Sequence, residues 1–440
     1  MIMDDILITD ALVVTCDGNH SIIENGVMAV NQGKITALEK SDTPAAKKLT
    51  AKKTIVANGN IVMPGLINMH CHAADSLFRG LVENLPLEEW LGRVWIAEKA
   101  ILTPETTYLG SVLGLAENLL SGSTTVMDMF WYPDETVKAA KDLGMRISTG
   151  GIFFDLPGIG GRSHENYVSE AQNFYKSHSS DDSVIPAILP HGSYTVSPQN
   201  LSEAKSIADQ YGILFCTHAA ETRAEQNDIK TRYNNSVIRH LDRYNLLGKT
   251  SVLAHCVHLD DTEISLLAQS KTNVVLNPMS NLKLGSGIAR VKEMHKAGIN
   301  LTIGTDGAIS GNDLDMWLAM RLTCGLAKGV NMEADALTAE QVLHMATISG
   351  AKALGKSDSL GSLEIGKNAD FILVDINNCH SVPLFDPITH LVFGAGRSDV
   401  TDVFVSGKHV VKNKKISGLD IEKIHEEVRQ LAPSIKASLE

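Results

Sequence analysis

Residues 61–72, IVMPGLINMHCH, decide the fold, because an apolar run typical of a buried strand ends there in two histidines separated by one cysteine. Three potential metal ligands in a row allow a cysteine–histidine site, a histidine pair with a passive neighbour, or a coincidence. On a β-strand, the side chains of residues i and i+2 point to the same side. His70 and His72 can therefore face one ion while Cys71 faces away, which favours the histidine pair.

Seven further apolar runs follow, separated by segments with helical periodicity. The eight runs cover residues 61–72, 124–130, 146–154, 183–191, 213–221, 251–258, 272–280 and 299–307. The first intervening segment predicts a helix with Pro104 at its first position and Gly122 after its end. Eight strands with crossover helices predict an α/β protein with a (β/α)8 TIM barrel, whose active site lies at the carboxyl ends of the strands. An open doubly wound sheet is the alternative.

Both ends of the chain are β-rich and interrupted by turns, which predicts a small antiparallel sheet. We therefore divide the chain into residues 1–59 and 359–415 as flanking β-segments, 60–358 as the barrel, and 416–440 as a C-terminal helix. In that last segment, apolar residues at helical spacing predict packing either on the barrel or on a second subunit of a homo-oligomer; they are Ile421, Ile424, Val428 and Leu431.

The composition excludes several classes of protein. A net charge of −12 argues against binding nucleic acid, which needs a basic face. Six scattered cysteines form no disulfide framework, and no apolar run approaches the roughly 18 residues that cross a bilayer. The first residues, MIMDDILITD, are acidic where a signal peptide is basic. We expect a cytoplasmic protein that acts on a small molecule, without nucleic-acid or membrane partners.

Polar side chains gather at the predicted strand ends. An isolated histidine is more often a hydrogen-bonded core or surface residue, but these residues recur at the ends of five of the eight runs: His70, His72, His191, His218, Glu221, His255 and Asp306. Imidazole and carboxylate ligands suit Zn²⁺ or Fe²⁺, which lower the pKa of a bound water towards neutrality. Glu221 is placed for general acid/base catalysis, although a helix-start carboxylate is the alternative. The fourth run ends in AILPHGSY, without a carboxylate or lysine to bridge two ions, which favours one metal.

These motifs resemble the amidohydrolase superfamily. The segments are PGLINMHCH, HAAET, AHCVH, NPMSNLKLGSGIA, TDGAISGNDLDM and GSLEIGKNADFILVD. They are most similar to its mononuclear-metal aminohydrolases, which include S-adenosylhomocysteine/5′-methylthioadenosine deaminases, guanine deaminases and s-triazine hydrolases. The resemblance implies a barrel with a small β-sandwich built from both chain termini.

The same resemblance implies roles for the strand-end residues. The ligands of one divalent ion, Zn²⁺ in preference to Fe²⁺, are His70, His72, His218 and Asp306. Glu221 protonates the leaving amine, His255 polarises the attacked group, and Asp306 also accepts a proton from the attacking water. The implied reaction is attack of metal-bound hydroxide on the amino-bearing ring carbon, with release of ammonia.

Four further residues resemble substrate contacts of the adenosine-analogue deaminases. Trp90 packs on the substrate, Glu98 binds ribose hydroxyls, Arg162 binds a homocysteine carboxylate, and His191 contacts the substrate. Glu98 as an exposed helix residue and Arg162 as a solvated loop residue are the alternatives. Ser193 replaces the proline of the family's segment after His191.

The chain has glycines at positions 150 and 151, where some S-adenosylhomocysteine deaminases have an arginine. This difference weakens the case for a substrate with an amino-acid carboxylate. We predict a metal-dependent deaminase of S-adenosylhomocysteine, 5′-methylthioadenosine or adenosine. The alternatives are an aminohydrolase or chlorohydrolase of guanine, a pterin, cytosine or an s-triazine, and a non-catalytic barrel scaffold.

Overall fold

The computed structural model describes residues 3–155 and 159–440. The first two residues of the acidic N-terminal stretch, Met1 and Ile2, and residues 156–158 lie outside the described residues. The strands, in chain order, are β1 Asp4–Val14, β2 Ile22–Asn31, β3 Lys34–Lys40, β4 Ala51–Val56, β5 Ile61–Pro64, β6 Leu66–His72, β7 Ser123–Asp128, β8 Arg146–Phe153, β9 Val184–Pro190, β10 Leu214–Ala219, β11 Ser251–His255, β12 Asn273–Leu276, β13 Leu301–Ile303, β14 Asp306–Gly307, β15 Phe371–Val374, β16 Val400–Val405, β17 Lys408–Lys412 and β18 Lys415–Ile416.

The helices connect and flank these strands. In chain order they are α1 Leu87–Ile101, α2 Pro104–Leu120, α3 Pro133–Leu143, α4 His164–His178, α5 Pro198–Tyr211, α6 Arg223–Tyr233, α7 Val237–Arg243, α8 Asp261–Ser270, α9 Pro278–Lys283, α10 Val291–Lys296, α11 Met316–Asn331, α12 Ala339–Met345, α13 Ile348–Ala353, α14 Pro387–Phe393 and α15 Ile421–Ala437. Helix α2 begins at Pro104, as predicted, after the N-cap Thr103.

The predicted barrel is confirmed. Strands β6 to β13 pair in parallel with their neighbours in chain order. The eighth strand is split: β13 pairs with β12, and β14 pairs with β6, which closes the sheet. Asn68 holds this junction, because its Nδ2 donates to Thr305 Oγ1 at 2.7 Å and its Oδ1 accepts from the Thr305 backbone at 3.1 Å. Closure rules out the open doubly wound sheet.

The predicted second sheet, built from both chain termini, is present, but it is mixed rather than antiparallel, because β4 and β5 pair with β1 in parallel. Its strand order is β18-β17-β16-β15-β5-β1-β2-β3, with β4 paired to β1. It surrounds a core of its own, in which the rings of Phe371 and Phe404 stack at 4.3 Å. Strand β5 belongs to this sheet, so the run at residues 61–72 supplies two strands rather than one. Gly65 lies between the two strands. A larger residue does not fit there, because its Cβ would lie 2.2 Å from Thr124 Cγ2.

The C-terminal helix α15 packs on the barrel. It contacts α1 and α2 and buries Ile424 and Ile435. The sequence predicted that this helix packs either on the barrel or on a second subunit. Within the described residues it packs on the barrel of the same chain. Within residues 3–155 and 159–440, no helix combines the length and apolar content needed to cross a bilayer.

Candidate metal centre and active site

The two histidines of the MHCH segment point to the same place, at the carboxyl end of β6. A β-bulge between Asn68 and Cys71 interrupts the pairing of β6 with β7. His70 lies within this bulge and His72 after it, and both side chains face the other strand ends. Cys71 is buried on the opposite side, with its Sγ 3.9 Å from Asn118 Nδ2 of α2. Bulges often redirect side chains beside active sites.

Two later strands bring the remaining predicted ligands to the same point. Asp306 Oδ1 lies 3.1 Å from His72 Nε2 and 3.4 Å from His70 Nε2. His218 Nε2 lies 3.4 Å from His72 Nε2. The ligand atoms of His70, His72 and His218 lie within 4.8 Å of one another, and so do those of His70, His255 and Asp306. The four predicted ligands and His255 therefore form one cluster.

Backbone carbonyls orient two of these imidazoles. His72 Nδ1 donates to the carbonyl of Met129, and His218 Nδ1 donates to the carbonyl of His191, each at 2.6 Å. Such bonds fix each ring and direct its Nε2 at the cluster, which is the arrangement that ligating histidines adopt.

His70 provides the test of whether a cation fits. Its side chain is fully buried, and among the described residues neither ring nitrogen has a hydrogen-bond partner. Buried nitrogens are rarely left unpaired in proteins, so this imidazole calls for a ligand that accepts its lone pair. Gly304 leaves room for it, because a Cβ there would lie 2.8 Å from the backbone nitrogen of His70.

Burial and charge set the protonation of the ligands. Burial lowers the pKa of His70 to about 4 and holds that of His218 well below its ordinary value. Burial alone would raise the pKa of Asp306, but the imidazoles of His70 and His72, whose Nε2 atoms lie 3.4 and 3.1 Å from its Oδ1, hold it well below its ordinary value. Neutral His70 and His218 and an ionised carboxylate are suitable ligands for a divalent cation.

Glu221 and His255 lie beside the ligand cluster. Both are buried, and Glu221 Oε2 lies 3.6 Å from His255 Nε2. The other ring nitrogen of His255 lies 2.9 Å from Asn281 Oδ1, and Ser286 Oγ donates to Glu221 Oε1 at 3.4 Å. Burial, with the charge of Asp306, raises the pKa of Glu221 to about 8. This carboxyl group can therefore hold and release a proton near neutral pH.

A cavity opens onto the cluster. Three of the four predicted substrate residues line it: Trp90, Glu98 and His191. Trp90 Nε1 donates to the carbonyl of Val82 at 3.2 Å, which fixes its ring. Glu98 is buried rather than exposed, and its Oε2 accepts from Trp131 Nε1 at 3.0 Å. Aromatic walls with a few polar groups are typical of sites for planar ligands.

Arg162, the fourth predicted substrate residue, lies outside the described lining of this cavity. Its Nε donates to Glu170 Oε1 at 3.0 Å, and its Nη1 donates to the carbonyl of Ile159 at 2.8 Å. The guanidinium also lies over the ring of Tyr132, 5.0 Å from the ring centroid. Its predicted carboxylate contact stays a prediction.

The two glycines near the end of β8 leave no space for a side chain. A Cβ at Gly150 would lie 2.1 Å from the carbonyl oxygen of Ala187, and one at Gly151 would lie 2.3 Å from Ala171 Cβ. An arginine at either position is incompatible with this packing.

Sequence reasoning missed several residues around the site. Asp75, Trp131 and Tyr194 line the cavity, and Asn281 and Ser286 contact His255 and Glu221. Asn281 and Ser286 lie in the segment NPMSNLKLGSGIA, which the resemblance singled out without assigning either residue a role. Asp75 comes three residues after His72, a spacing that signals a second carboxyl group near the ligands.

A closed barrel with histidines and an aspartate at its carboxyl ends defines the class of metal-dependent barrel hydrolases. The chain belongs to the amidohydrolase family, whose profile matches residues 61–410. It is 36% identical over 432 residues to the 5-methylthioadenosine/S-adenosylhomocysteine deaminase of Syntrophobacter fumaroxidans, covering 98% of both chains. It is 39% identical over 438 residues to the 5′-deoxyadenosine deaminase of Methanosarcina acetivorans, covering 99% of both.

Solved structures agree with this assignment. An adenosine deaminase from Xanthomonas campestris with bound zinc superposes with a TM-score of 0.95 at 34% identity, covering 99% of both chains. Atrazine chlorohydrolase from Arthrobacter aurescens, complexed with zinc, superposes with a TM-score of 0.89 at 26% identity, covering 97% of this chain and all of that one. The prediction of an amidohydrolase of the deaminase type is confirmed.

Proposed function

We propose that this protein is a metal-dependent hydrolytic deaminase of purine nucleoside derivatives such as 5′-methylthioadenosine, 5′-deoxyadenosine, S-adenosylhomocysteine or adenosine. The observation that carries the proposal is the position of Glu221, buried beside both His255 and the ligand cluster at the base of an aromatic cavity. The full-length deaminase relatives support the same reaction. The six cysteines form no disulfide, which supports a reducing, cytoplasmic location.

Four residues of this chain would hold one divalent ion: His70, His72, His218 and Asp306. Zn²⁺ is the favoured ion, because the ligands are imidazoles and a carboxylate and two similar structures contain zinc. A bound ion of this kind supplies an activated water nucleophile near neutral pH. No described Lys, Asp or Glu lines the fourth strand's end at His191, so the proposal is for one ion.

The protein's own groups would then move the protons. Asp306 accepts a proton from the attacking water, and His255 Nε2 polarises the group under attack. Glu221 delivers a proton to the departing amine. A carbon–oxygen bond forms, the carbon–nitrogen bond breaks, and the amine leaves as ammonia, so the amino-substituted ring becomes an oxo-substituted one. Trp90 lies in the cavity wall where a planar base can pack against it.

The test is replacement of Glu221 by Gln. Gln has nearly the same shape but cannot carry the proton, so we expect ammonia release to fall by about 10²–10⁴-fold. Metal content should stay at the wild-type value, because Glu221 is not among the proposed ligands. A variant that keeps its metal and the wild-type rate would refute the role of Glu221.

The substrate class is tested separately, by measuring ammonia release from two panels of compounds. The first contains adenosine, 5′-methylthioadenosine, 5′-deoxyadenosine and S-adenosylhomocysteine; the second contains guanine, a pterin, cytosine and an amino-s-triazine. We expect turnover in the first panel. If no adenosine derivative reacts while a member of the second panel does, the nucleoside assignment is wrong.

A further inference from the structure

His258 is the second histidine of the segment AHCVH, and it does not belong to the ligand cluster. It follows His255 by three residues, in the loop that leaves β11, and its side chain is half-buried. Its ring nitrogen Nε2 donates to the backbone carbonyl of Ser286 at 2.8 Å. Because a carbonyl oxygen only accepts hydrogen bonds, Nε2 is the protonated nitrogen of this ring. His258 therefore offers a fixed donor to the segment that contains Ser286.

The backbone of His258 is attached to the end of strand β10. Its N–H donates to the carbonyl of Ala220 at 2.9 Å, and Ala220 directly precedes Glu221. Its own carbonyl accepts from Gln226 Nε2 of helix α6 at 2.7 Å. His258 is therefore anchored beside Glu221, and its ring extends from this anchor to Ser286.

Ser286 lies on a tight turn between two glycines. Gly285 and Gly287 have φ values of 68° and 125°, which other residues rarely adopt. The backbone N–H of Ser286 donates to the carbonyl of Asn281 at 2.8 Å, and its hydroxyl donates to Glu221 Oε1 at 3.4 Å. The hydroxyl contact is long for a bond between two oxygen atoms, so a small displacement of the turn would break it. It therefore depends on whatever holds the turn in place.

The turn packs directly against His258, so the ring is in place to hold it. A Cβ at Gly287 would lie 3.7 Å from His258 Cε1 and 3.2 Å from Val257 Cγ1. Ser286 and Glu221 are 6% and 3% exposed, which leaves little room for water to take the place of the hydroxyl. Within the described residues, Ser286 is the side chain that donates to the Glu221 carboxyl group. Release of the turn would therefore leave a buried carboxyl oxygen without its donor.

We propose that His258 is a positioning residue, which holds the Ser286 turn so that the Ser286 hydroxyl keeps the carboxyl group of Glu221 directed at the departing amine. The inference rests on the proposed function, because Glu221 carries the proton in that reaction. His258 lies outside the described lining of the cavity and is not among the proposed ligands, so it acts through Ser286 and not on the substrate or the ion.

The first test replaces the donor at position 258 and measures ammonia release from the adenosine derivative that reacts fastest. We expect His258→Leu to lower kcat by about tenfold, because small misplacement of a catalytic group has a large effect on rate. KM and metal content should stay near the wild-type values. His258→Gln places an amide nitrogen near the position of Nε2 and should restore most of kcat. A Leu variant with the wild-type kcat, or a Gln variant as slow as the Leu variant, would overturn the inference.

A double-mutant cycle shows whether His258 acts through Ser286. Ser286→Ala removes one oxygen atom and should lower kcat by a similar factor, about tenfold. In the Ser286→Ala background, His258→Leu should cause little further loss, because the hydroxyl that it positions is already absent. If the two losses multiply, or if Ser286→Ala keeps the wild-type kcat, the inference is wrong. The serine variant provides the test on its own if Leu at position 258 prevents folding.

His295→Leu is the matched control. His295 is also a half-buried histidine, but it lines a different cavity with Lys249 and Leu301, at the amino ends of the barrel strands. Its replacement should leave kcat and KM unchanged. If it lowers kcat as much as His258→Leu does, the loss reflects removal of a half-buried imidazole, and the inference is wrong.

Hydrogen exchange separates this inference from the proposed function. The amides of Ser286 and Gly287 both donate to the carbonyl of Asn281, so their exchange reports on the turn without turnover of substrate. We expect faster exchange in His258→Leu. If no adenosine derivative releases ammonia but the exchange rises, the deaminase proposal fails and the role of His258 in holding the turn stands. If ammonia is released and neither the exchange nor kcat changes, the inference fails and the deaminase stands.

Discussion

The backbone N–H of Glu221 donates to Oε2 of Glu225 at 2.7 Å, four residues further along the chain. Glu225 is buried near the start of helix α6, where its own N–H donates to the N-cap Thr222 at 3.0 Å. Ala220, directly before Glu221, has a left-handed φ of 53°. The helix start therefore holds the end of strand β10 in the conformation that aims Glu221 at the ligand cluster.

We expect Glu225→Ala to lower kcat by about tenfold or more, because small misplacement of a catalytic group has large effects on rate. KM and metal content should change little, since Glu225 contacts neither substrate nor the proposed ligands. Glu225→Gln keeps an acceptor oxygen for the Glu221 backbone and should restore most of the rate. Equal kcat values for the wild type and the Ala variant would show that Glu225 does not position Glu221.

Removal of the metal should abolish ammonia release and lower the melting temperature. An ion that binds only the folded state stabilises it by about 4 kcal/mol when its concentration is 1,000 times its Kd. His70 also loses the ligand for its buried nitrogens. The measurement is calorimetry and activity before and after chelation, with Zn²⁺ added back. A metal-free protein with unchanged melting temperature and activity would contradict the proposed centre.

Cys71→Ala should leave the metal content unchanged. The thiol is buried towards Asn118 of α2, on the opposite side of β6 from His70 and His72. Loss of its packing should reduce the free energy of unfolding by about 1 kcal/mol. His72→Ala is the comparison, and metal analysis should show that it loses the ion. If both variants lose the ion, Cys71 is a ligand and the assignment of the strand faces is wrong.

Gly151→Ala should destabilise the protein by about 1–3 kcal/mol, the usual range for an overpacked core. The added Cβ would lie 2.3 Å from Ala171 Cβ and 2.8 Å from Ala171 Cα, both on helix α4. Gly325→Ala is the control, because no atom lies within 4 Å of a Cβ at that position in α11. It should stabilise the helix by about 0.5–1 kcal/mol. Denaturant unfolding of both variants checks the difference, which would vanish if β8 can move away from α4.

Some features of the site could be predicted because they depend on local order along the chain. The proposed ligands lie at the ends of apolar runs, and parallel strands bring their carboxyl ends together. The alternation that places His70 and His72 on one side holds over those three residues. The regular alternation of β6 does not extend to the residues before His70, because the bulge between Asn68 and Cys71 interrupts the pairing with β7. A bulge depends on the partner strand, so the residues of β6 alone do not indicate it.

Other features depended on which side chains meet in space. Arg162 and Trp90 both came from segments that resemble the family; Arg162 pairs with Glu170 eight residues away, while Trp90 lines the cavity. The division of residues 61–72 between two sheets was also missed, because β5 pairs with β15, more than 300 residues later.

The sequence by itself determined the barrel, the second sheet from both termini, and the set of residues that gather at the strand ends, because strand periodicity and motif order are properties of the chain. Only the tertiary structure decided that Trp131 meets Glu98, and that Gly150 and Gly151 leave no room for arginine. These relationships depend on distances of 2 to 3 Å between atoms of different elements. Such distances follow from packing and are not written in any local pattern of residues.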